Sequence, residues 1–124
     1  MPSVVLCSSA LRTRETLERI GPALGEEVSV HFERELYAAS EQGLLERLRG
    51  LEEEVDSVLV IGHNPGLERL VLTLGGSGPE LAAVARKYPT GALATLEFDG
   101  RWRELGAGSA RLTNFVTPKR LAKG

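Results

Sequence analysis

Two strand-like segments of the sequence each end in residues that could bind an anion. The run "VLCSSALRTRETL" begins at Val5 and brings Arg12 shortly after an apolar stretch. The run "VLVIGHNPGLERL" begins at Val58 and brings His63 directly after a second one. A guanidinium presents a rigid fork of donors that matches phosphate oxygens, and an imidazole can hold a phosphate when charged or move a proton when neutral. These residue types indicate a phosphate-like oxyanion as the ligand.

Each of these residues also has an ordinary structural explanation. Arg12 could belong to the solvated face of an amphipathic helix, with nearby glutamates as partners. His63 could simply cap or pack the turn that follows it. A cation in the first helical turn is, however, mildly unfavourable with the helix dipole. Arg12 therefore breaks a local rule at a strand end, which is where functional residues are often found.

The single cysteine offers a rival chemistry. Tyrosine phosphatases place a nucleophilic thiolate and an arginine in a Cys-x5-Arg loop, whereas only four residues separate Cys7 from Arg12 and none of them is glycine. Cys7 is therefore interpreted as a small buried residue at the end of a strand. His31, on an alternating strand, is interpreted as structural. With two distant histidines and one cysteine, the sequence has no metal-ligand spacing, and it has no Walker or dinucleotide motif.

The elements that would position Arg12 and His63 follow an order of strand and helix, repeated three times and followed by a hairpin. This alternation predicts an α/β fold with helices on both faces of the sheet. In such sheets ligands bind where strand ends meet helix beginnings, so Arg12 and His63 are expected to face one hollow. The predicted strands are 4–7, 28–32, 58–62, 92–98 and 102–105, the last two joined at Asp99-Gly100. The predicted helices are 10–24, one after the cap Ser40, 67–74 and 81–87.

Three details of these elements carry further expectations. Ser8 or Ser9 is expected to cap the first helix. The continuous aliphatic run 58–62 is typical of a central strand covered on both faces. The basic, polar tail 117–124 is expected to fray.

Bulk properties limit the classes of protein that are possible. A chain of 124 residues with 42% hydrophobic and 26% charged residues predicts one globular domain, 1–124. A net charge of −2 argues against nucleic acid as a partner. No apolar run is long enough for a membrane span, and no basic region precedes the N-terminal apolar stretch as in a secretory signal. A single cysteine excludes an internal disulfide and favours a cytoplasmic location.

The two anion-binding runs, with "ELYAAS" between them and "YPTGALATLEF" after them, resemble the histidine phosphatase superfamily, which includes the phosphoglycerate mutases. The likeness is to its phosphohistidine phosphatase branch, the SixA type, and extends from Val5 to about Pro118. It implies a three-layer, phosphoglycerate mutase-like α/β fold and a hydrolase acting on phosphohistidine or phosphate esters without a cofactor. It also implies that Arg12, the Asn64 amide and His63 bind phosphate. His63 corresponds to the second active-site histidine of the family and is therefore the predicted catalytic residue.

The sequence departs from this family in one respect. The family nucleophile is a histidine in an Arg-His-Gly or Arg-His-Ala motif at the end of a first strand, and this sequence contains no Arg-His pair. The resemblance is therefore to a domain without its central first strand, its nucleophile, a second phosphate-binding arginine and its first helix. Three explanations account for the missing segment: a truncated or mis-started enzyme, a natural short relative without catalysis, or a second chain that supplies the missing part. The first is favoured because the remaining pocket residues look undisturbed.

These considerations predict a phosphatase that is inactive or weak in this form and that retains weak phosphate binding. The alternatives are a non-catalytic module that binds phosphate or phosphoproteins, and a structural domain in which these residues are incidental. The expected partners are a phosphorylated protein or a small phosphoester. A strand missing from the middle of a sheet leaves neighbouring edges open, which also predicts a homodimer.

Overall fold

The fold is built from a parallel α/β unit followed by an antiparallel pair of strands. The computed structural model describes residues 2–25, 27–37, 39–76, 79–86 and 93–116. The elements are β1 (Val4–Ser8), α1 (Leu11–Leu24), β2 (Ser29–Glu33), α2 (Glu41–Arg49), β3 (Val58–Ile61), α3 (Gly66–Gly75), α4 (Pro79–Arg86), β4 (Leu93–Phe98) and β5 (Ala110–Val116), with short 3₁₀ turns at Arg34–Leu36 and Trp102–Glu104.

The first three strands form a parallel sheet in the order β2-β1-β3. Leu6 of β1 lies opposite His31 of β2 and Val60 of β3. Because all three strands run in the same direction, their carboxyl ends meet at one edge. We call this edge, with the residues that directly follow each strand, the C-terminal edge of the sheet.

Helices cover both faces of this sheet, which confirms the predicted three-layer architecture. Leu6 packs with buried leucines of α2 and α3, whereas Val5 and Cys7, on the other face of β1, pack with Leu17 of α1. Strand side chains alternate between the two faces, and each apolar set therefore meets a different helical layer.

Strand β3 is covered on both faces as predicted, but its predicted central position is wrong for the described part of the chain. Val58 and Val60 pack on the α2–α3 side, and Leu59 and Ile61 pack on the α1 side. Within the described ranges β3 pairs with β1 alone, and β4 and β5 form a separate two-stranded sheet. An aliphatic run predicts that both faces of a strand are buried, but it does not predict how many of the strand's edges are paired with other strands.

The predicted capping residues have different outcomes. Ser40 caps α2 as expected, and its hydroxyl accepts a hydrogen bond from the Gly43 N–H at 3.2 Å. The prediction that Ser8 or Ser9 caps α1 is wrong, because Ala10 occupies the N-cap and makes no side-chain cap bond. The Thr13 hydroxyl instead lies 2.8 Å from the carbonyl oxygens of both Ser8 and Ala10 and fixes the entry to the helix.

The hairpin partner predicted at 102–105 is also wrong. The strand that pairs with β4 is β5, with Phe98 opposite Ala110. Trp102 instead lies in a 3₁₀ turn, buried, with its indole N–H donating to the Val55 carbonyl at 2.8 Å. Burial of a whole indole outweighs the gain from extending a short hairpin. The predicted helix end at Lys87, strand start at Ala92 and tail 117–124 lie outside the described residues.

Strand β2 forms one edge of the parallel sheet and exposes two apolar side chains, Val30 and Phe32. The predicted homodimer through an open sheet edge stays a prediction. In the part of the chain that the structure describes, no helix combines the length and the apolar character that a membrane crossing requires.

A bidentate ion pair ties the end of β2 to α2. The Nε and Nη2 atoms of Arg47 each donate a hydrogen bond to one oxygen of the Glu33 carboxylate, both at 2.7 Å. This hydrogen bonding holds the pKa of Glu33 below its ordinary value. A carboxylate with a lowered pKa stabilises the fold above its unfolded pKa, and this stability is lost as the pH falls through the folded pKa.

We therefore expect Glu33→Gln to lower the free energy of unfolding by about 1 kcal/mol at neutral pH, allowing for solvent screening of this partly exposed pair. Urea unfolding across the pH range measures this, and the difference from wild type should vanish in acid. Glu97→Gln is the control, since that carboxylate is exposed and 4.0 Å from Arg111. A deficit that persists below the Glu33 pKa would contradict the assignment.

Candidate active site

His63 lies at the C-terminal edge of the sheet and is held there by the end of the neighbouring strand. Cys7 of β1 lies opposite Ile61 of β3, so Ser8 and His63 come together just beyond this pair. The imidazole Nε2 and the Ser8 hydroxyl are hydrogen-bonded at 2.8 Å. Ser8 is fully buried and its oxygen also accepts from the Ala10 N–H at 3.3 Å. The imidazole is therefore anchored to a rigid part of the fold.

The backbone of His63 is tied to the start of α3. Its carbonyl oxygen accepts a hydrogen bond from the Leu67 N–H at 3.1 Å, and the Pro65 carbonyl accepts from Arg69 at 3.0 Å. The Asn64–Pro65 peptide bond is cis. An anion next to His63 would therefore lie close to the positive end of the α3 dipole.

Gly66 allows a close approach that this arrangement requires. A Cβ atom at this position would collide with the backbone carbonyl oxygen of Ala39 and would lie 3.3 Å from Leu44 Cδ1. The absence of a side chain at Gly66 thus lets the His63 turn pack directly against the segment that leads into α2.

Tyr37 brings the end of the third parallel strand to the same place. It follows the 3₁₀ turn after β2, and its ring centroid lies 5.0 Å from that of His63 with a 54° angle between the planes. Neither Tyr37 nor the Ser8–His63 contact was predicted from the sequence. The sequence did contain one signal for Tyr37 as a site residue, because Tyr37, in "ELYAAS", follows the end of a third strand of the same sheet.

The other predicted phosphate ligands lie near this edge. Arg12 is the second residue of α1, the helix that starts where β1 ends, and its side chain is exposed. Asn64 is adjacent to His63 and also exposed. The topology brings these two positions to the edge where His63 lies, and their contacts with phosphate stay predictions.

Cys7 directly precedes Ser8 at this edge but is unsuited to act as a nucleophile, and His31 lies away from the edge. Cys7 is fully buried, and burial raises the pKa of its thiol, an effect only partly offset by a hydrogen bond with Thr13 and the charge of Arg14. A neutral, buried thiol is a poor nucleophile. His31 lies in the middle of β2, opposite Leu6. Among the described residues, no group of three or more His, Cys, Asp or Glu side chains could hold a metal ion.

Solved structures of phosphohistidine phosphatases have the same fold as this chain. The histidine phosphatase SixA complexed with tungstate is 29% identical, with a TM-score of 0.75, and the match covers 98% of this chain and 72% of that one. A protein of Nakamurella multipartitia, provisionally assigned as SixA, is 27% identical with a TM-score of 0.83 over 94% of this chain and 71% of its own. A protein of Agrobacterium tumefaciens with the same provisional assignment is 28% identical with a TM-score of 0.79, and the match covers 95% of this chain and 69% of that one.

Sequence comparison finds uncharacterized mycobacterial relatives. A protein of Mycobacterium leprae (strain TN) is 36% identical over 118 residues, which are 93% of this chain and 71% of that protein. A protein of Mycobacterium tuberculosis (strain ATCC 25618 / H37Rv) is 32% identical over 125 residues, and the match covers 96% of this chain and 77% of that protein. No family model matches the chain.

The parallel sheet, the histidine at its C-terminal edge and these structural matches together define the class of protein. The chain has the fold of proteins of the histidine phosphatase superfamily. Within that superfamily it is similar to the SixA phosphohistidine phosphatases, as the sequence motifs indicated.

Proposed function

We propose that the C-terminal edge of the sheet binds the phosphoryl group of phosphohistidine or of a phosphate monoester, as part of a phosphatase site. The observation that carries this proposal is the 2.8 Å bond between Ser8 and His63, because it fixes an imidazole where α1 and α3 begin. A SixA structure holds tungstate, a tetrahedral oxyanion like phosphate, which supports an oxyanion as the ligand.

In the proposed mechanism, the Arg12 guanidinium and the His63 imidazole neutralise charge on the phosphoryl oxygens. Electrostatic stabilisation of this kind is usually the largest contribution to phosphoryl transfer. The Asn64 amide donates a further hydrogen bond. The leaving nitrogen of phosphohistidine is readily protonated, which reduces the need for a strong acid from the protein. The proposal needs no metal or cofactor.

The supply of a nucleophile limits what this chain does alone. The superfamily transfers the phosphoryl group to a histidine, and the sequence contains two histidines. One is His63, proposed to hold the phosphoryl group, and the other is His31, in the middle of β2 and away from the edge. We therefore expect negligible turnover by the 124-residue chain, together with weak phosphate binding.

Titration of the protein with orthophosphate, followed through the backbone amide NMR signals, tests the site. We expect His63→Ala to weaken binding at least about tenfold, since a hydrogen bond to a charged group contributes roughly 1.5–3 kcal/mol, and Arg12→Ala to weaken it similarly. His31→Ala is the matched control and should bind like wild type. Equal binding by wild type and His63→Ala would refute the proposed site.

A second candidate function is a module that binds phosphorylated partners without hydrolysing them. The single histidine at the edge favours it. Added imidazole, with p-nitrophenyl phosphate as substrate, distinguishes the two. At a phosphatase site whose missing part includes the nucleophile, imidazole attacks phosphorus, p-nitrophenolate leaves, and water then hydrolyses the phosphoimidazole. Rescue that depends on His63 supports the phosphatase; phosphate binding without rescue supports the module.

The wider setting follows from the same proposal. We propose a phosphorylated protein or small phosphoester as the partner, a cytoplasmic location and a homodimer formed through an open sheet edge. The net charge of −2 argues against nucleic acid as a partner.

A further inference from the structure

We infer that Tyr37 determines specificity at the proposed phosphate site by contacting a planar aromatic or heteroaromatic leaving group. The inference rests on the proposed function and adds a residue that recognises the part of the substrate beyond phosphorus. It starts from the contact between the Tyr37 and His63 rings, whose centroids are 5.0 Å apart.

The backbone holds Tyr37 in place independently of its ring. The preceding residue, Leu36, is buried in the main core, and the Tyr37 N–H donates to the Arg34 carbonyl at 3.0 Å. The backbone position of Tyr37 at the sheet edge is therefore fixed without burial of the ring.

The ring itself is largely exposed. Tyr37 has 61% of its surface open to solvent, although an aromatic side chain gains most when it is buried. Its contact with His63 leaves most of the ring surface for a ligand. An exposed aromatic ring directly beside a proposed phosphate-binding imidazole is placed to meet whatever is attached to the phosphoryl group.

The geometry fits a flat leaving group better than an aliphatic one. Aromatic pairs prefer offset-stacked or edge-to-face arrangements with centroids 4.5–7 Å apart, and a protonated imidazole is also attracted to the face of a tyrosine ring. A phosphoryl group held at His63 would bring its substituent next to Tyr37. Phosphorylated imidazoles and aryl phosphates are the substrates that satisfy this arrangement.

Binding of three probes to the 124-residue protein tests the inference: orthophosphate, ethyl phosphate and phenyl phosphate. Wild type should bind phenyl phosphate about fivefold more tightly than ethyl phosphate. Tyr37→Leu should abolish this preference, because the aromatic contact with the phenyl group is lost. Orthophosphate binding by Tyr37→Leu should stay within about twofold of wild type, since orthophosphate has no aromatic group to make this contact. Tyr37→Phe, which keeps the ring, should retain the preference.

Phe32→Leu is the matched control, because Phe32 is also an exposed aromatic residue of the β2 segment and lies against Arg14. This variant should keep the preference for phenyl phosphate. The inference is overturned if wild type shows no such preference, if Tyr37→Leu retains it, or if Tyr37→Leu weakens all three probes equally. If wild type binds no probe, the proposed function fails as well, so the two failures are distinguishable.

Discussion

A Gly66→Ala variant is expected to have a free energy of unfolding about 1–3 kcal/mol lower than that of wild type, the usual range for forcing atoms into a closely packed site. The added Cβ would meet the Ala39 carbonyl oxygen, and this neighbour is backbone, which cannot rotate away like a side chain. Relief of the collision must move the start of α3 or the segment before α2. Chemical denaturation measures the loss directly.

The same substitution should impair the proposed phosphate site. The His63 carbonyl is bonded to the Leu67 N–H in the first turn of α3, so a shift of this turn moves the imidazole away from Ser8. We expect orthophosphate binding to weaken about tenfold, comparable to the loss of one hydrogen bond to a charged group.

Gly43→Ala provides the matched control for Gly66→Ala. A Cβ at Gly43 would lie 3.7 Å from Ser40 Oγ and 3.8 Å from Ala39 Cβ, which are ordinary contacts. Alanine is favoured over glycine within helices by up to about 1 kcal/mol, so this variant should be as stable as wild type or slightly more stable. Full stability and full phosphate affinity of Gly66→Ala would show that the close approach to Ala39 is unimportant.

Replacing Trp102 with alanine is expected to lower the free energy of unfolding by about 3–5 kcal/mol, the usual cost of deleting a buried large aromatic side chain. Trp102 belongs to the core cluster that contains Leu6 and leucines of α2 and α3. It also packs edge-on against Phe98 at 5.0 Å between ring centroids. Its removal would leave a cavity between the 3₁₀ turn and this core.

Trp102→Phe separates packing from hydrogen bonding at this position. It keeps most of the aromatic volume but removes the N–H that donates to the Val55 carbonyl, so we expect a loss of about 1–2 kcal/mol. Because small domains have only 5–15 kcal/mol of stability, the phenylalanine variant also gives a measurable value if the alanine variant does not fold. An alanine variant as stable as wild type would contradict the role of Trp102 in the core.

The sequence predicted the elements that local patterns control. Apolar spacing indicated the buried face of α1, and Ser40 marked the start of α2. The order of strands and helices predicted the three-layer α/β fold, and the motifs around Arg12 and His63 indicated the superfamily. These inferences succeed because side-chain periodicity and capping depend on residues a few positions apart.

The errors concern features that depend on distant residues. The segment 102–105 resembles a returning strand, but its tryptophan gains more by packing against the core near Val55. Ser8 resembles a helix cap, but its hydroxyl faces an imidazole 55 positions away in the chain.

By itself the sequence determined the three strands of the parallel sheet and the helices that follow them, which faces are apolar, and that Arg12 and His63 each follow a strand end. Only the tertiary structure decided the pairing order β2-β1-β3, the edge position of β3 in the described sheet, and the meeting of Ser8, Tyr37 and His63. The physical reason is strand register: parallel pairing aligns three strand ends that are far apart in the chain, and no local pattern specifies that alignment.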